Sequence, residues 1–463
     1  MRKRKPQELK VSGIEWIGKI PANWSVFKLG YYTYLKGRVG WHGLTTEEYQ
    51  DSGPYLVTGT DFNNGEISWD SCHHISMERY EQDKYIQLQE GDLLITKDGT
   101  IGKTAIVRSL EGEATLNTGV FLVRPLDESY TTRFLYWILN STVFNEYIEY
   151  SKTGSTVAHL YQETFANWKF PVPKIDQQTA IATFLDRKTQ AIDRLIEKKQ
   201  QLIEKLKEKR QALITQAVTK GLPSEAAAKA GLNPGAPMKD SGIEWLGEIP
   251  EHWEITKTKF VTNKIIDGTH HTPTYTDEGV PFLRVTDIHN EKINLDDVKR
   301  ISVEEHNQLK SRCNPERGDL LLSKNGTIGI TKVIDWEWEF SIFVSLCLIK
   351  FKKKKISPYY YAYFFKSDIV EQQITAGSKK TSVTNLHLDK IKELIVTLPP
   401  INEQKDIIKH LKDINYEYNV YLKKMNSSIS KLKEYRQSLI SAAVTGKIDV
   451  RDEVEETVIQ EAL

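Results

Sequence analysis

Apolar residues recur at alternating intervals of three and four residues over two long stretches of the chain, which is the spacing of a coiled-coil seam. The second stretch carries them at Leu411, Ile414, Tyr418, Tyr421, Met425, Leu432, Tyr435, Leu439 and Ala442, interrupted by Ser428. The first carries Leu185, Ile192, Leu195, Leu202, Leu206 and Leu213 at matching positions, interrupted by Lys188, Lys199 and Lys209. Each predicted helix is apolar on one face only, and that face needs a partner that covers it. The simplest partner is the other helix.

Both predicted helices have recognisable ends. Asp176 and Asn402 are suitable N-caps, and the prolines just before them prevent an earlier start. Gly221 and Gly446 follow the two apolar patterns and are suitable C-terminal stops. Each helix is then ~65 Å long. Antiparallel pairing of the two would place a globular domain at each end of a rigid rod.

The segments before the helices predict strands and tight turns. Strand-like runs at 92–96 and 319–323 are followed by Asp-Gly at 98–99 and Asn-Gly at 325–326. These dipeptides are preferred in type I′ turns, in which both central residues need a positive φ. A second apolar run follows each of them, so the sequence predicts the same β-hairpin twice.

Three motifs of the chain occur twice. The segments 12–24, 91–102 and 210–214 return with few changes at 241–253, 318–329 and 436–440. A repeat this long is not a solenoid, whose period is ~20–50 residues, and indicates a duplicated domain with pseudo-twofold symmetry. The predicted fold is α+β, with two similar mixed α/β domains joined by two long antiparallel coiled-coil helices.

The repeat divides the chain into six segments. They are a first globular domain at 11–175, a first long helix at 176–220, a connector at 221–240, a second globular domain at 241–400, a second long helix at 401–447 and a tail at 448–463. Within the connector, Glu225 and Lys229 have the spacing of a stabilising pair on one helical turn.

Bulk properties describe an ordinary globular protein. Of 463 residues, 39% are hydrophobic and 27% are charged, with a formal net charge of +1. No apolar run approaches the ~18 residues of a membrane span, and the basic residues 2–5 precede no apolar stretch, so no signal peptide is expected. Three distant cysteines, Cys72, Cys313 and Cys347, favour a reducing cytoplasm over a disulfide framework.

The two copies differ most in the middle of each globular domain. The first copy has Gly-rich segments with basic and aromatic residues at 36–43 and 58–65, whereas the second has different sequence at 267–273 and 284–288. One scaffold that carries two different inserted surfaces predicts two different ligand half-sites held at a fixed distance.

The chain resembles the specificity subunit of type I restriction–modification systems. The resemblance rests on the doubled Ser-Gly-Ile-Glu-Trp-(Ile/Leu)-Gly-x-Ile-Pro-x-x-Trp, on the doubled Gly-Asp-Leu-Leu…Gly-Thr-Ile-Gly, on Gly-Ser at 154–155 and 377–378, and on the proline-rich approaches to Gln178 and Gln404. These motifs span nearly the whole chain. Pseudo-symmetry and the predicted rod agree with the resemblance independently.

The resemblance implies a function and a set of partners. Each globular domain would be a target recognition domain that reads one half of a bipartite DNA site, and the helices would set the spacer and dock two methyltransferase subunits. Motor–nuclease subunits would join the complex, and adenines in both half-sites would be methylated at N6. No cofactor is expected in this chain, since S-adenosylmethionine, ATP and Mg would bind to the partner subunits. No membrane partner is expected, and the expected location is the cytoplasm.

Candidate DNA contacts in the first copy lie in its Gly-punctuated segments. Lys36, Arg38 and His42 belong to a loop of the composition that reaches base edges or phosphates, although a solvated turn is the alternative. Thr60 and Ser155 are further candidates. Lys97 precedes the predicted hairpin turn, where phosphate contact and plain surface are equally open.

The second copy offers a parallel set. Thr269, His270 and Thr272 are candidate DNA contacts; His270 and His271 are adjacent and lack a third ligand at a usable spacing, so no metal site is predicted. Arg284 has the chemistry for bidentate contact with guanine, but an ion pair with Asp287 is equally open. Lys324 and Lys379 are candidate phosphate contacts, with plain surface as the alternative.

Two other classes of function compete with a DNA reader. A single-chain methyltransferase would need an (Asn/Asp)-Pro-Pro-(Tyr/Phe) turn, and the Asn-Pro segments at 233–236 and 314–317 do not match it. A coiled-coil scaffold for other proteins, or the specificity subunit of a methyltransferase-only system, stays open. The repeated Trp16, Trp24, Trp245 and Trp253 occur in both copies although the half-sites should differ, which favours scaffold packing or a common partner surface over base reading.

Overall fold

The computed structural model describes residues 2–39, 44–151, 159–290, 292–375, 385–451 and 453. The chain forms two compact units, Met1–Lys199 with Ser427–Leu463, and Gln200–Asn426. Each unit contains one globular domain and a part of both long helices. No helix of the described residues is long and apolar enough to cross a membrane.

The first globular domain and its flanking segments contain the following elements. The strands are β1 (Arg2–Lys3), β2 (Leu9–Val11), β3 (Lys19–Pro21), β4 (Ser25–Lys28), β5 (Thr33–Gly37), β6 (Gln50–Val57), β7 (Phe62–Asn63), β8 (Glu66–Ile67), β9 (His73–His74), β10 (Leu93–Thr96), β11 (Thr104–Ile106), β12 (Ala114–Leu116), β13 (Val120–Pro125) and β14 (Lys169–Val172). The helices are α1 (Leu29–Tyr32), α2 (Met77–Gln82), α3 (Thr132–Leu139), α4 (Thr142–Ser151), α5 (Gln162–Asn167) and the long α6 (Ile175–Thr219).

The rest of the chain repeats this plan. The helices are α7 (Ser224–Lys229), α8 (Thr258–Val261), α9 (Val303–Arg312), α10 (Pro358–Phe365), α11 (Asp368–Thr375), α12 (Leu388–Glu393) and the long α13 (Ile401–Val444). The strands are β15 (Met238–Asp240), β16 (Glu248–Pro250), β17 (Glu254–Lys257), β18 (Thr262–Asp267), β19 (Tyr275–Thr276), β20 (Val280–Leu283), β21 (Arg300–Ile301), β22 (Leu320–Ser323), β23 (Thr331–Val333), β24 (Ser341–Ile342), β25 (Leu346–Phe351), β26 (Ile395–Leu398) and β27 (Ile448–Asp449).

An antiparallel four-stranded sheet forms the centre of each globular domain. Its strand order is β11-β10-β13-β5 in the first unit and β18-β25-β22-β23 in the second, which is the same order of equivalent strands. Both sheets bury their apolar residues almost completely, as at Leu94 and Leu122, and at Leu321 and Leu348. The α+β class and the internal repeat are therefore confirmed.

The two long helices pack together and are antiparallel. In the first unit the start of α6 meets the end of α13, where Asp193 and Arg436 form an ion pair at 2.9 Å. In the second unit the end of α6 meets the start of α13, where Arg210 donates to the Asn419 side chain at 3.2 Å.

The helix seam differs from the predicted one at alternate positions. Ile196, Ile203 and Ile429 are buried, whereas the predicted seam residues Leu195, Leu202, Tyr421 and Tyr435 are exposed. In α6 each of these leucines is followed directly by an isoleucine, so the apolar pattern allows two seams one residue apart. The structure uses the isoleucines, and Lys188 and Lys209 consequently do not interrupt the seam.

The helix ends are correct at the C-termini and wrong at the N-termini. Gly221 and Gly446 follow the helices with positive φ values of 85° and 69°, as C-terminal stops require. Asp176 and Asn402 are not N-caps, because α6 and α13 begin one residue before them and place both inside the first turn. The connector forms the expected helical turn, and Glu225 pairs with Lys229 at 2.7 Å.

Gln178 and Gln404 each connect the start of a long helix to its globular domain by side-chain hydrogen bonds. Both are fully buried. The Gln178 side chain accepts from the Thr131 amide at 2.8 Å and donates to the Pro173 carbonyl at 2.9 Å. Gln404 repeats this with the Ser357 amide at 2.8 Å and the Pro399 carbonyl at 2.9 Å. These bonds give a structural reason for the repeated glutamine.

Both predicted hairpins exist, but the predicted turn type is wrong. Strand β10 pairs with β11 and β22 pairs with β23, leaving seven-residue loops at 97–103 and 324–330 instead of two-residue turns. Positive φ occurs at the glycines of these loops and at neither Asp98 nor Asn325. The Thr96 hydroxyl donates to the Thr100 carbonyl at 2.5 Å, and Ser323 donates in the same way at 2.6 Å. A hydroxyl at the strand end therefore holds each wider loop.

Candidate nucleic-acid interface

Several loops of the first unit begin where strands of its central sheet end, on the same side of the sheet. Strands β5 and β10 are both antiparallel to β13, so they run in the same direction, and Gly37 and Ile95 both pair with Phe121. The segment that follows Gly37 and the hairpin loop at 97–103 therefore start side by side. The Leu160 amide also donates to the Lys97 carbonyl at 2.9 Å. We call this end of the sheet the loop edge.

The second unit has an equivalent loop edge. Asp267 at the end of β18 and Leu322 near the end of β22 both pair with Cys347. The Leu386 amide donates to the Lys324 carbonyl at 2.7 Å, as Leu160 does to Lys97 in the first unit. Each unit therefore combines a hairpin loop of shared sequence with neighbouring segments whose sequences differ.

Arg38 is buried and pairs with other residues of the protein, and its contact with DNA stays an untested prediction. Its side chain is fully buried and forms an ion pair with Asp83. Its Nε donates to the Leu116 carbonyl at 2.7 Å, and a terminal nitrogen donates to the Thr115 hydroxyl at 3.3 Å. Burial lowers the pKa of Arg38, and the charge of Asp83 opposes that effect. All of its donors face the protein interior.

Lys36 and Lys97 lie partly buried at the first loop edge. Lys36 belongs to β5, not to a loop, and its Nζ lies 5.8 Å from the centroid of the Tyr34 ring. Lys97 lies with its Nζ 5.0 Å from the centroid of the Phe121 ring, and burial lowers its pKa. His42 and Ser155 lie outside the described residues, so DNA contact by either of them stays a prediction.

Thr60 lies beside the first hairpin loop and is exposed. Its hydroxyl is 2.6 Å from that of Thr58 in a turn that precedes β7. Lys103 of the hairpin loop donates to the Gly59 carbonyl at 3.3 Å, which joins this turn to the loop. The structure therefore brings together two segments that are ~40 residues apart in the sequence.

Asp267 organises the second loop edge. Its buried carboxylate lies 2.6 Å from Arg312, 3.0 Å from His270 and 3.5 Å from Lys324. The Lys324 side chain is almost fully buried, which removes it from the surface where a phosphate would bind. Phosphate contact by Lys324 stays a prediction, and it requires the side chain to leave Asp267. Sequence reasoning missed the roles of Asp267 and Arg312, which lie on different elements.

The remaining candidates of the second unit divide by exposure. Thr269 is buried, and its hydroxyl bonds to His271 Nδ1 at 2.7 Å. His270 and Thr272 are exposed, and His270 is held by Asp267. Arg284 forms the ion pair with Asp287 at 3.3 Å, one of the two alternatives left open by the sequence. Lys379 lies outside the described residues.

The exposed side chains suit hydrogen bonding more than chemistry on a substrate. Hydroxyl groups such as those of Thr60 and Thr272, and the imidazole of His270, can donate to and accept from base edges. They stand on a frame that is held by buried ion pairs and strand pairing. A rigid frame with exposed polar loops is the arrangement on which binding residues are commonly placed.

Residues 32–205 and 250–429 of the chain match the family described as type I restriction modification DNA specificity domain. The type I restriction enzyme EcoBI specificity subunit of Escherichia coli is 25% identical over 364 residues, which are 77% of this chain and 73% of that protein. The type I restriction enzyme MjaVIII specificity subunit of Methanocaldococcus jannaschii is 22% identical over 446 residues, which are 94% of this chain and 95% of that protein.

A solved structure has a similar fold. It comes from work on the structural basis underlying complex assembly and conformational transition of the type I R-M system, and aligns with a TM-score of 0.69 and 17% sequence identity. The alignment covers 93% of this chain and 99% of that chain. At this identity the likeness concerns the fold.

Proposed function

The chain belongs to the family of type I restriction modification DNA specificity domains, and from that premise we propose that it is the DNA-reading subunit of a type I restriction–modification complex. Each loop edge reads one half of a bipartite, asymmetric DNA site. The observation that carries this proposal is the pairing, at each loop edge, of a shared hairpin loop with segments that differ between the copies.

The two kinds of segment suit the two kinds of DNA contact. Phosphates are the same at every base pair, so the residues that position a domain on DNA can be shared by both copies. Base edges differ between half-sites, so the residues that read them must differ. In this proposal the hairpin loops at 97–103 and 324–330 lie against the backbone. The segments around Thr60 in the first unit, and His270 and Thr272 in the second, lie in the groove.

The proposed complex supplies the catalysis from other subunits. Two methyltransferase subunits with S-adenosylmethionine modify N6 of adenine, and motor–nuclease subunits with ATP and Mg cleave DNA, all in the cytoplasm. This chain itself is non-catalytic. The antiparallel pair α6–α13 sets the spacer between the half-sites and offers exposed apolar residues, Leu195, Leu202, Tyr421 and Tyr435, to the methyltransferase subunits.

The first experiment is single-molecule methylome sequencing of the host with and without this gene. We expect a bipartite N6-methyladenine motif that disappears on deletion. Exchange of residues 25–170 for the equivalent part of a related chain should change one half of the motif and leave the other half as it is. If both halves change, the assignment of one half-site to each unit is wrong.

A second measurement separates the DNA reader from a coiled-coil scaffold for proteins. Binding to random duplex DNA should weaken steeply as the salt concentration rises, because each phosphate contact releases counterions. A flat salt dependence would favour the scaffold. The domain exchange provides the control, since it changes base contacts and should leave the salt dependence of non-specific binding nearly unchanged.

A further inference from the structure

In the first unit, the residues that follow α3 pack against the long helix α13. The Gln437 side chain donates to the Asn140 carbonyl at 3.1 Å. The Thr142 amide donates to the Ser441 hydroxyl at 3.0 Å. We call this contact between the globular domain and the long helix the first junction.

The second unit repeats this contact where the residues that follow α10 pack against α6. The Gln211 side chain donates to the Lys366 carbonyl, as Gln437 does to the carbonyl after α3. The Asp368 amide donates to the Thr215 hydroxyl at 3.1 Å. We call this contact the second junction. Because the same bonds hold both, the two junctions can be compared residue by residue.

The junctions differ in charge on the long helices. Arg436, one residue before the glutamine of the first junction, forms its ion pair with Asp193 at 2.9 Å. Its counterpart in the second junction is Arg210, which donates to the Asn419 side chain at 3.2 Å. A neutral amide therefore takes the place of the carboxylate. Arg210 has no ion pair with any described residue.

The junctions also differ in charge on the globular domains, where Lys366 takes the place of Asn140. The Asn140 side chain donates to the Thr104 hydroxyl at 2.7 Å and to the Tyr136 carbonyl at 2.8 Å. It is therefore part of the packing of the first unit. Lys366 is exposed, and its ammonium has no hydrogen bond or ion pair with any described residue. Folding does not explain this lysine.

Both differences make the second junction more positive. The ion pair of the first junction has no net charge, whereas Arg210 and Lys366 are both cations. Desolvation of its ammonium, together with the positive charges of Arg210 and Lys332, lowers the pKa of Lys366. Like charges held close together destabilise one another. An anion bound between them would remove this repulsion.

The second junction adjoins the second loop edge. Helix α10 ends at Phe365, and a Cβ added to Gly329 of the hairpin loop would lie 3.8 Å from that ring. Thr331, the first residue after the hairpin loop, donates its hydroxyl to the Ala362 carbonyl of α10 at 3.4 Å. The two cations therefore lie beside the loop that is proposed to contact the DNA backbone.

We propose that Arg210 and Lys366 form a binding site for a phosphate of the DNA backbone, which the second unit has and the first unit lacks. The proposal rests on the proposed function, in which the hairpin loop at 324–330 lies against the backbone. Arginine suits such a site because it can bind a phosphate through two parallel hydrogen bonds, and lysine adds a point charge. The contact positions DNA without reading its sequence. The second unit then supplies the larger share of the salt-dependent affinity.

The test exchanges residues between the two junctions. Lys366→Asn and Asn419→Asp each introduce the residue that the first junction has, and Asn140→Lys with Asp193→Asn is the reverse exchange. Affinity of the full chain for random duplex DNA is measured against salt concentration. Each of the first two variants should lower the slope of log affinity against log salt by about one, and the reverse exchange should raise it. The melting temperature of Lys366→Asn should stay unchanged, because folding does not use this ammonium.

The control removes the same charge from another exposed position. Lys229→Asn, in the connector, should leave the slope unchanged. Methylphosphonates, which replace single phosphates by neutral groups, then locate the contact in a duplex that carries the methylated motif. The phosphate bound at the second junction is the one whose neutralisation weakens binding by the wild type and not by Lys366→Asn. We expect it beside only one of the two half-sites.

The outcomes separate this site from the proposed function. Unchanged slopes in both Lys366→Asn and Asn419→Asp would overturn the phosphate site and leave the DNA-reading proposal intact. A wild-type chain that binds no duplex at any salt concentration and directs no methylation would overturn both. Loss of a protein subunit from Lys366→Asn, with an unchanged slope, would assign the two cations to an acidic protein surface in place of DNA.

Discussion

The Lys324 ammonium lies 3.5 Å from the Asp267 carboxylate, and both side chains are buried in the second unit. The equivalent lysine of the first unit, Lys97, lies over the Phe121 ring instead. Strand register explains this difference. Gly37, which pairs with Phe121, occupies the place in the first sheet that Asp267, which pairs with Cys347, occupies in the second. The first unit therefore has no carboxylate at this place. Each unit holds the repeated lysine in its own way, by an aromatic ring or by a carboxylate.

This arrangement predicts that substitutions of Asp267 and of Lys324 lower the free energy of unfolding by unequal amounts. Asp267→Asn leaves the buried Lys324 without a counter-charge and should lower the free energy of unfolding by on the order of 3 kcal/mol. Lys324→Met keeps the volume, and Asp267 keeps Arg312 and His270, so the loss should be below ~1 kcal/mol. Denaturant unfolding of the full chain measures both.

The same pair tests the role of Lys324 toward DNA. Because its side chain is almost fully buried, Lys324→Met should leave the salt dependence of binding to random duplex unchanged. A slope reduced by about one would show that Lys324 leaves Asp267 and contacts a phosphate in the complex.

Arg38 provides a second prediction, since it was expected at the DNA surface and is buried against Asp83. Arg38→Ala should lower the free energy of unfolding by about 3 kcal/mol, because the buried Asp83 loses its ion pair with Arg38 and keeps the longer one with Arg79, at 3.8 Å. Lys36→Ala, two residues earlier on β5 and partly exposed, should cost less than ~0.5 kcal/mol. A stable Arg38→Ala protein that fails to bind DNA would contradict the structural role.

The sequence predicted the two long helices and the repeated globular domains. It did not predict which residues form ion pairs with the buried charged side chains. Heptad spacing and end glycines gave both long helices, because those signals are local to one element. The choice between Leu195 and Ile196 was not decidable, since both are apolar and adjacent. Arg38 was misplaced because its partner Asp83 is 45 residues away, and a basic residue in a Gly-rich segment has the same composition in a core or at a surface. Asp267 and Arg312 were missed for the same reason.

Asp449 predicts an acid-dependent loss of stability in the first unit. Its carboxylate accepts from Arg451 and lies 3.1 Å from Arg4, and these contacts lower the pKa of Asp449 from 3.8 to about 2. Because the folded-state pKa is the lower one, the stabilisation is complete above about pH 4 and is lost as the pH falls through about 2. Its size after solvent screening is on the order of 1–2 kcal/mol.

Asp449→Asn should therefore be less stable than the wild type at pH 7, and the difference should shrink as the pH approaches 2. Unfolding midpoints measured across this range follow the effect. Asp51→Asn, at an exposed position of β6, is the control and should behave as the wild type does. A constant difference between Asp449→Asn and the wild type at all pH values would assign the stabilisation to hydrogen bonding that asparagine cannot reproduce, and not to the ionised carboxylate.

The last prediction concerns the proposed role of α6 and α13 as the ruler between the half-sites. An insertion of seven residues in each helix, after Ile203 and at the facing part of α13, keeps the buried seam in register because the seam repeats every seven residues. It lengthens each helix by ~10 Å. Methylome sequencing should then show a bipartite motif with the same two half-sites and a wider spacer, or no methylation if the partner subunits cannot span the added length.

An insertion of five residues rotates the seam by more than a third of a turn, exposes Ile196 or Ile203, and should destabilise the helix pair. An unaltered motif at full activity in the seven-residue variant would refute the ruler, whereas the five-residue variant separates a change of length from a loss of the coiled coil.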